Sequence, residues 1–317
     1  KNKLPATPFN CTTAPAWRVP FVQVHDAPAY EYRGIMVDAA REFLPLDYLK
    51  RYVVLCRVYK VNYLHIHLTD DSAFTFPSTA FPELAAQSPW NYTLGELQEL
   101  QAFAQARGVH IVPEMDVPGH SSALVRARGD LFGFASAPHL GIANFVSPAV
   151  VARLQTLFDE MSAVFPGPLV HMGGDEVSFG ALAGLPEVQA ALKAHGLNSV
   201  VDLYRLFIVN MTAYARARGK TLHVWEGFAP QGSSPIAIDP RTNITVSPFD
   251  CFIYPPPQLA ADGYRIVNSA WTPLYIAGGS LMWDPQMIYQ WSPWLFGDLF
   301  PKQYLDWLVG WLVGWLG

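Results

Sequence analysis

The sequence predicts one (β/α)8 TIM-type barrel whose eighth strand is incomplete or irregular. Three observations predict it. Short apolar runs alternate with helical segments along most of the 317 residues, and that alternation, joined by short glycine turns, builds a parallel sheet. Seven strands in this length fit a closed barrel better than an open sheet. Charged and imidazole side chains gather where the apolar runs end, the end at which such barrels carry chemistry.

The first strand is expected over Tyr32–Asp38. Pro45 then opens a helix, its fixed φ suiting a first turn, and the helix runs to about Val61. A second strand covers Tyr63–Thr69. Thr93-Leu-Gly-Glu96 has the spacing of a capping box and starts a helix that Gly108 stops. His110–Met115 is the third strand. Ser147-Pro148 opens a further helix, ended by Phe165-Pro-Gly, and Leu169–Gly173 is the fourth strand. A long helix from Ser199 to Gly219 precedes strand five, Thr221–Trp225. Ile244–Pro248 and Tyr264–Ser269 are strands six and seven, and the eighth would lie in the C-terminal tail. Residues 1–28, rich in Pro and Thr, read as a leading remnant or linker. Residues 29–317 are then the barrel with an atypical tail, and no second domain is expected.

A hydrophobic content of 51% supplies one large core. The net charge of −5 and the scattered basic residues exclude a nucleic-acid surface. Ten Trp serve either packing or stacking on sugar rings. Cys11, Cys56 and Cys251 permit one disulfide at most and no metal-type CxxC pair. Four N-x-[ST] triplets, at Asn10, Asn91, Asn210 and Asn243, exceed the roughly one expected by chance. They favour a glycoprotein that is secreted or lysosomal/vacuolar, or periplasmic if bacterial. The repeat from Trp307 to Gly317 is shorter than a membrane span of about 20 residues. It fits a trimmed or mispredicted end better than an anchor.

The tetrad Gly173-Gly174-Asp175-Glu176 closes strand four. Neighbours on an extended strand point to opposite sides, so Asp175 and Glu176 suit one acid plus one orienting group rather than two carboxylates flanking one bond. The other strands end in His65-Ile-His67-Leu-Thr-Asp70-Asp71, in Pro113-Glu114-Met-Asp116-Val-Pro-Gly-His120, in Trp225-Glu226 and in Trp271 through Tyr275. His65 and His67 share one strand face. With His171, His120 and Asp175 they offer the alternative of a metal-dependent barrel hydrolase.

These segments together resemble the family 20 glycoside hydrolases, the β-N-acetylhexosaminidases. The matching elements are Arg33-Gly34 with Asp38 and Arg41, Asn62-x-x-His65-x-His67-x-x-Asp70-Asp71, Pro113-Glu114-x-Asp116-x-Pro118-Gly119-His120, and His171-x-Gly173-Gly174-Asp175-Glu176. The resemblance implies retaining, exo-acting removal of terminal N-acetyl-glucosamine or N-acetyl-galactosamine from an oligosaccharide or glycoconjugate. It implies no cofactor and no metal. The substrate's own acetamide oxygen attacks the anomeric carbon, an exception to the two-carboxylate scheme. Glu176 would be acid and then base, with its pKa raised. Asp175 would accept the acetamide N–H, and Tyr275 would donate to the acetamide oxygen. Trp225, Trp271 and Trp283 would wall the acetamide pocket. Arg33, His65 and Asp71 would contact the substrate, and Asp70 and His120, with Asp71 sharing that part, would set the protonation of Glu176.

The chain also departs from the family. Many members carry Tyr-Leu-Asp where Tyr275-Ile276-Ala277 stands, which removes one contact to sugar hydroxyls. The final strand bearing Trp and Glu has no counterpart between Trp283 and Gly317, and the small α/β domain before the barrel is absent or reduced. These departures keep open a sugar-binding barrel of the same fold with weak or no catalysis.

Overall fold

The structure is a computed structural model that describes residues 20–276 and 285–292. Among the described residues, seven strands form one sheet: β1 (Gly34–Asp38), β2 (Tyr63–His67), β3 (His110–Glu114), β4 (Leu169–His171), β5 (Thr221–Trp225), β6 (Ile244–Ser247) and β7 (Arg265–Ile266). They lie in chain order, and every neighbouring pair is parallel. Helices fill the connections: α1 (Leu46–Val58), α2 (Glu83–Ala86), α3 (Leu94–Gln105), α4 (Ser122–Phe132), α5 (Pro148–Val164), α6 (Phe179–Leu182), α7 (Pro186–His195), α8 (Val200–Ala217), α9 (Pro256–Ala261), α10 (Trp271–Leu274) and α11 (Pro285–Gln290). This is the strand–helix order of a (β/α) barrel. Residues 20–31 belong to a separate unit and hold no regular element. Trp283, Asn10, Cys11, Ala277 and the C-terminal repeat, with any eighth strand there, lie outside the described residues.

Local chemistry explains the helix starts. Thr93 caps α3 with the full reciprocal box, its hydroxyl accepting from Glu96 N while the Glu96 carboxylate accepts from Thr93 N. Ser147 and Ser199 cap α5 and α8. Pro45 is not in the first turn of α1 but at its N-cap, with an extended ψ of 151°. Most strands are shorter than the apolar runs suggested, because their C-terminal residues leave the ladder and turn into the site. Beyond β2, for example, the Thr69 hydroxyl accepts the Asp116 N–H at 2.9 Å, replacing a ladder bond.

Alternation divides each strand between two surroundings. Leu64, Ile66, Ile111, Val170, Leu222, Val224, Ile244 and Val246 are buried in the hydrophobic core. They pack there with helical residues such as Leu49, Val53, Leu97, Leu100, Leu154, Leu157, Phe207 and Met211. Burying each such side chain stabilises by about 1.5–3 kcal/mol. The opposite parity carries the histidines of β2, β4 and β5 and Glu114 of β3. One line of register partners crosses all seven strands: Asp38, His67, Glu114, His171, His223, Thr245, Arg265. Its central members, His67, Glu114, His171 and His223, are 3% exposed or less. Where such barrels usually stack branched apolar residues, this one carries a buried polar belt.

Candidate active site

Asp175 and Glu176 do not continue β4. The strand ends at His171, and the next residues turn through positive φ at Gly173 (72°), Gly174 (98°) and Glu176 (50°). A Cβ on Gly173 would run into the Asp116 carboxylate, and one on Gly119 into the Asp175 carbonyl, so both positions need glycine. Three bonds hold the turn: His171 Nδ1 accepts Gly173 N–H at 3.0 Å, Asp116 Oδ1 accepts Gly174 N–H at 2.9 Å, and the Tyr204 hydroxyl of α8 donates to Gly174 O. Glu176 is a non-glycine residue in a left-handed conformation, as is His120 (φ 42°). Such strain costs on the order of 1–3 kcal/mol and persists only where the surroundings enforce it.

This turn corrects the expectation that the two carboxylates point apart. Both reach one imidazole: His120 Nε2 lies 3.2 Å from Glu176 Oε2 and 3.7 Å from Asp175 Oδ2. What separates them is burial. The Asp175 side chain is 14% exposed and that of Glu176 63%. The division into an orienting group and a proton donor therefore follows from depth, not from strand alternation.

His120 has carboxylates on its other side as well. Its Nδ1 is 3.3 Å from Asp71 Oδ2 and 3.7 Å from Asp70 Oδ2. The bond to Asp71, with the charges of Asp175 and Asp70, pushes His120 up to about 9 against its burial. Burial raises Asp71 and Asp70, but His120 and Ser122 at Asp71, and His67, Arg41 and His120 at Asp70, outweigh it and hold both low. Asp71 is thus the nearer partner of His120. Asp70 is tied more closely to His67 Nε2 at 2.9 Å and to Arg41 Nη2 at 2.7 Å.

Beneath Asp175, Asp116 is fully buried. Burial raises its carboxyl well above the usual range, and the neighbouring charge of Asp175 adds to this. The two carboxyls bond each other, and burial raises Asp175 as well. Burial disfavours charge more strongly on Asp116, the deeper of the two. Tyr275 stands beside them after α10. Burial first, and the Asp175 charge second, raise its hydroxyl, so it is a neutral donor. Trp271, exposed, lies against Tyr275 with its ring tilted by 41° at 4.7 Å between ring centroids.

Trp225 is buried, its ring 4.6 Å from that of His171 and 6.0 Å from Phe249, and its Nε1–H donates to Glu114 at 2.7 Å. His65 lies behind it, only 6% exposed, with its ring 5.8 Å from Trp225 and its Nε2 2.8 Å from Glu114. His65 thus sits behind Trp225 and against Glu114. Arg33 also stands elsewhere. Its Nε donates to Lys60 O and its N–H to Asn62, in the connection that enters β2, at the N-terminal end of the strands. Its parity is opposite to that of Asp38 and Met36, which share the His67 and His65 face. The guanidinium found at the mouth is that of Arg41, which follows β1 and bridges Asp38 and Asp70.

The metal alternative was tested on the donor set. His65, Glu114 and His171 offer three converging atoms. His171 Nδ1 accepts Gly173 N–H and Glu114 Oε1 takes the Trp225 indole, while His65 Nε2, Glu114 Oε2 and His171 Nε2 are buried without a hydrogen bond. The imidazole nitrogens lie 2.7–3.2 Å from Glu114, as close polar contacts. Glu114, Asp116, Arg41 and Tyr204 had no assigned part from sequence. Only the two-residue spacing of Glu114 and Asp116 hinted at a shared inner face. Glu226, after β5, is a further buried carboxyl, pushed up to about 9 by burial and by Asp250.

Comparison with known proteins gives the same assignment. The chain is 29% identical over 259 residues to beta-hexosaminidase subunit beta of Mus musculus, covering 78% of this chain and 47% of that protein. It is 31% identical over 235 residues to a beta-hexosaminidase of Akkermansia muciniphila, covering 67% and 48%. The chain thus spans about half the length of the curated relatives it matches. Among solved structures, the GH20 exo beta-N-acetylglucosaminidase of Vibrio harveyi in complex with N-acetylglucosamine superposes with a TM-score of 0.66 at 26% identity, covering 76% of this chain and 41% of that one. Dispersin B shares the fold, with a TM-score of 0.69 at 16% identity over 86% and 87% of the two chains. Residues 30–300 match the model of the catalytic domain of glycosyl hydrolase family 20, and the chain belongs to that family.

Proposed function

We propose that the chain is a retaining exo-β-N-acetylhexosaminidase that removes terminal N-acetylhexosamine by substrate-assisted catalysis. The observation that carries this is the pairing of a buried and an exposed carboxylate on one turn, bridged by a cationic imidazole. A buried, charged Asp175 suits an acetamide N–H and the positive charge of an oxazolinium intermediate. An exposed Glu176 can reach a leaving-group oxygen and afterwards a water. Tyr275 holds its proton and can donate to the acetamide oxygen, with Trp225 and Trp271 as walls. Asp71 and Asp70 hold His120 positive beside Glu176.

The substrate is an oligosaccharide or glycoconjugate with a terminal GlcNAc or GalNAc, and no nucleic acid takes part. The three described sequon residues, Asn91, Asn210 and Asn243, are exposed, in keeping with a secreted or lysosomal/vacuolar glycoprotein, or a periplasmic protein if bacterial. No described helix is long and apolar enough to cross a membrane. The test is a panel of aryl β-glycosides that differ at C2. Cleavage of the N-acetylglucosaminide or the N-acetylgalactosaminide is expected, with the 2-hydroxyl analogue slower by several kcal/mol of lost proximity. Equal rates would reject the participating acetamide. The second reading, a sugar-binding barrel, draws on Ile276-Ala277 after Tyr275, where many family members carry Leu-Asp. Thiazoline binding without product release from any aryl glycoside would select it.

A further inference from the structure

Glu114 is not among the groups placed against the sugar, yet it touches both halves of the site. It is fully buried. Its Oε1 accepts the indole N–H of Trp225 at 2.7 Å. Its Oε2 lies 2.7 Å from His67 Nδ1 and 2.8 Å from His65 Nε2, and His171 Nδ1 is 3.2 Å from Oε1. His67, itself 2% exposed, gives its other ring nitrogen to Asp70 at 2.9 Å. Asp70 takes Arg41 at 2.7 Å and stands 3.7 Å from His120. A chain of hydrogen bonds and ion contacts, the longest 3.7 Å between Asp70 and His120, therefore runs from Trp225 through Glu114, His67, Asp70 and His120 to Glu176.

The register of β2 and β3 sets His67 directly beside Glu114, and that of β3 and β4 sets His171 on its other side. A buried carboxylate stripped of its partners costs several kcal/mol, so Glu114 stays ionised only while these groups keep their places. Burial disfavours a charge on His67, and the carboxylates of Glu114 and Asp70 outweigh that and raise it well above the ordinary histidine value. His67 is thus a cation held between two anions. The titratable groups facing it are Glu114, Asp70, Asp38, Asp116 and His171. Those facing His120 are Asp70, Asp71, Asp175 and Glu176.

We infer that Glu114 is a positioning residue that couples the acetamide wall at Trp225 to the acid/base side at His120, through His67 and Asp70. The inference rests on the proposed function for the names of the two halves, but the coupling itself is structural. The test follows the His120 ring resonances and the Trp225 indole N–H resonance, with kcat and KM on an aryl N-acetylglucosaminide. The proteins are the wild-type chain, Glu114→Gln, His67→Asn and the double variant. Glu114→Gln should move both resonances, lower kcat about tenfold, the scale of one lost buried bond, and raise KM. His67→Asn should move His120 and lower kcat while leaving the Trp225 indole in place. The double variant should be no worse than Glu114→Gln, since both substitutions cut one path. An unmoved His120 in Glu114→Gln, or additive losses in the double variant, overturns the inference. Should Glu114→Gln not fold, His67→Asn decides by the His120 resonances, and no movement overturns it. An inactive wild-type chain would reject the proposed function while the resonances still decide the coupling.

Discussion

The mouth and the belt below it are built from the same residue types and behave as opposites. At the mouth, His120 and Glu176 hold left-handed backbone conformations, and Glu176 is mostly exposed. In the belt, His67, Glu114, His171 and His223 sit on regular strands, are 3% exposed or less and pair in register. Burial drives His171 down to about 4 and His223 well below the usual value, while His67 between its two carboxylates is driven up. The difference teaches where charge can change. A belt residue has its protonation fixed by its neighbours, and altering it breaks contacts. A mouth residue keeps room to gain or lose a proton, at the cost of strain.

The largest expected effect separates the two regions most cleanly. Glu176→Gln should lose about 10²–10⁴-fold in kcat with an unchanged Tm, because its side chain is mostly in solvent. A rate within a few-fold of wild type would end its role as acid. Asp175→Asn should lose about 10²-fold in kcat, the scale of one electrostatic contact to developing charge. It should fold at least as stably. Burial raises the Asp175 pKa, and a carboxyl raised on folding costs stability at pH above its unfolded value. A Tm several degrees lower for this variant would contradict that assignment of cost. In the belt the balance reverses. His171→Ala removes the acceptor of Gly173 N–H and leaves a cavity, and should cost about 2–4 kcal/mol of stability in a denaturant titration. A loss under about 0.5 kcal/mol, within the scatter of surface substitutions, would show that the belt is not tightly packed.

The smallest effect is on pH. His120 is raised from 6.5 to about 9, so its ion pairs are complete below about pH 6.5 and disappear as pH rises through about 9. The basic limb of kcat/KM should fall with an apparent pKa near that value, and His120→Asn should remove the limb. A limb that survives the substitution belongs to another group.

The local sequence determined a great deal. The Thr93–Glu96 box, the Ser147 and Ser199 caps and the alternating runs of β1 to β6 follow from contacts within a few residues, and each element formed where those contacts are strong. The tetrad, the two histidines of β2 and the acids of β3 were likewise visible as chemistry placed at strand ends. Tertiary structure alone decided which of these groups meet. Register sets Glu114 between His67 and His171 across residues 47 and 57 positions apart in sequence, a relation that no local pattern contains. The left-handed turn at Glu176 exists because Asp116 and Gly119 after β3 and Tyr204 of α8 enclose the tetrad from two other segments. Arg33 and His65 looked like pocket residues by type and fell elsewhere by parity and depth. Residue type and spacing are properties of the chain, whereas burial and approach belong to the sheet that forms when distant segments pair.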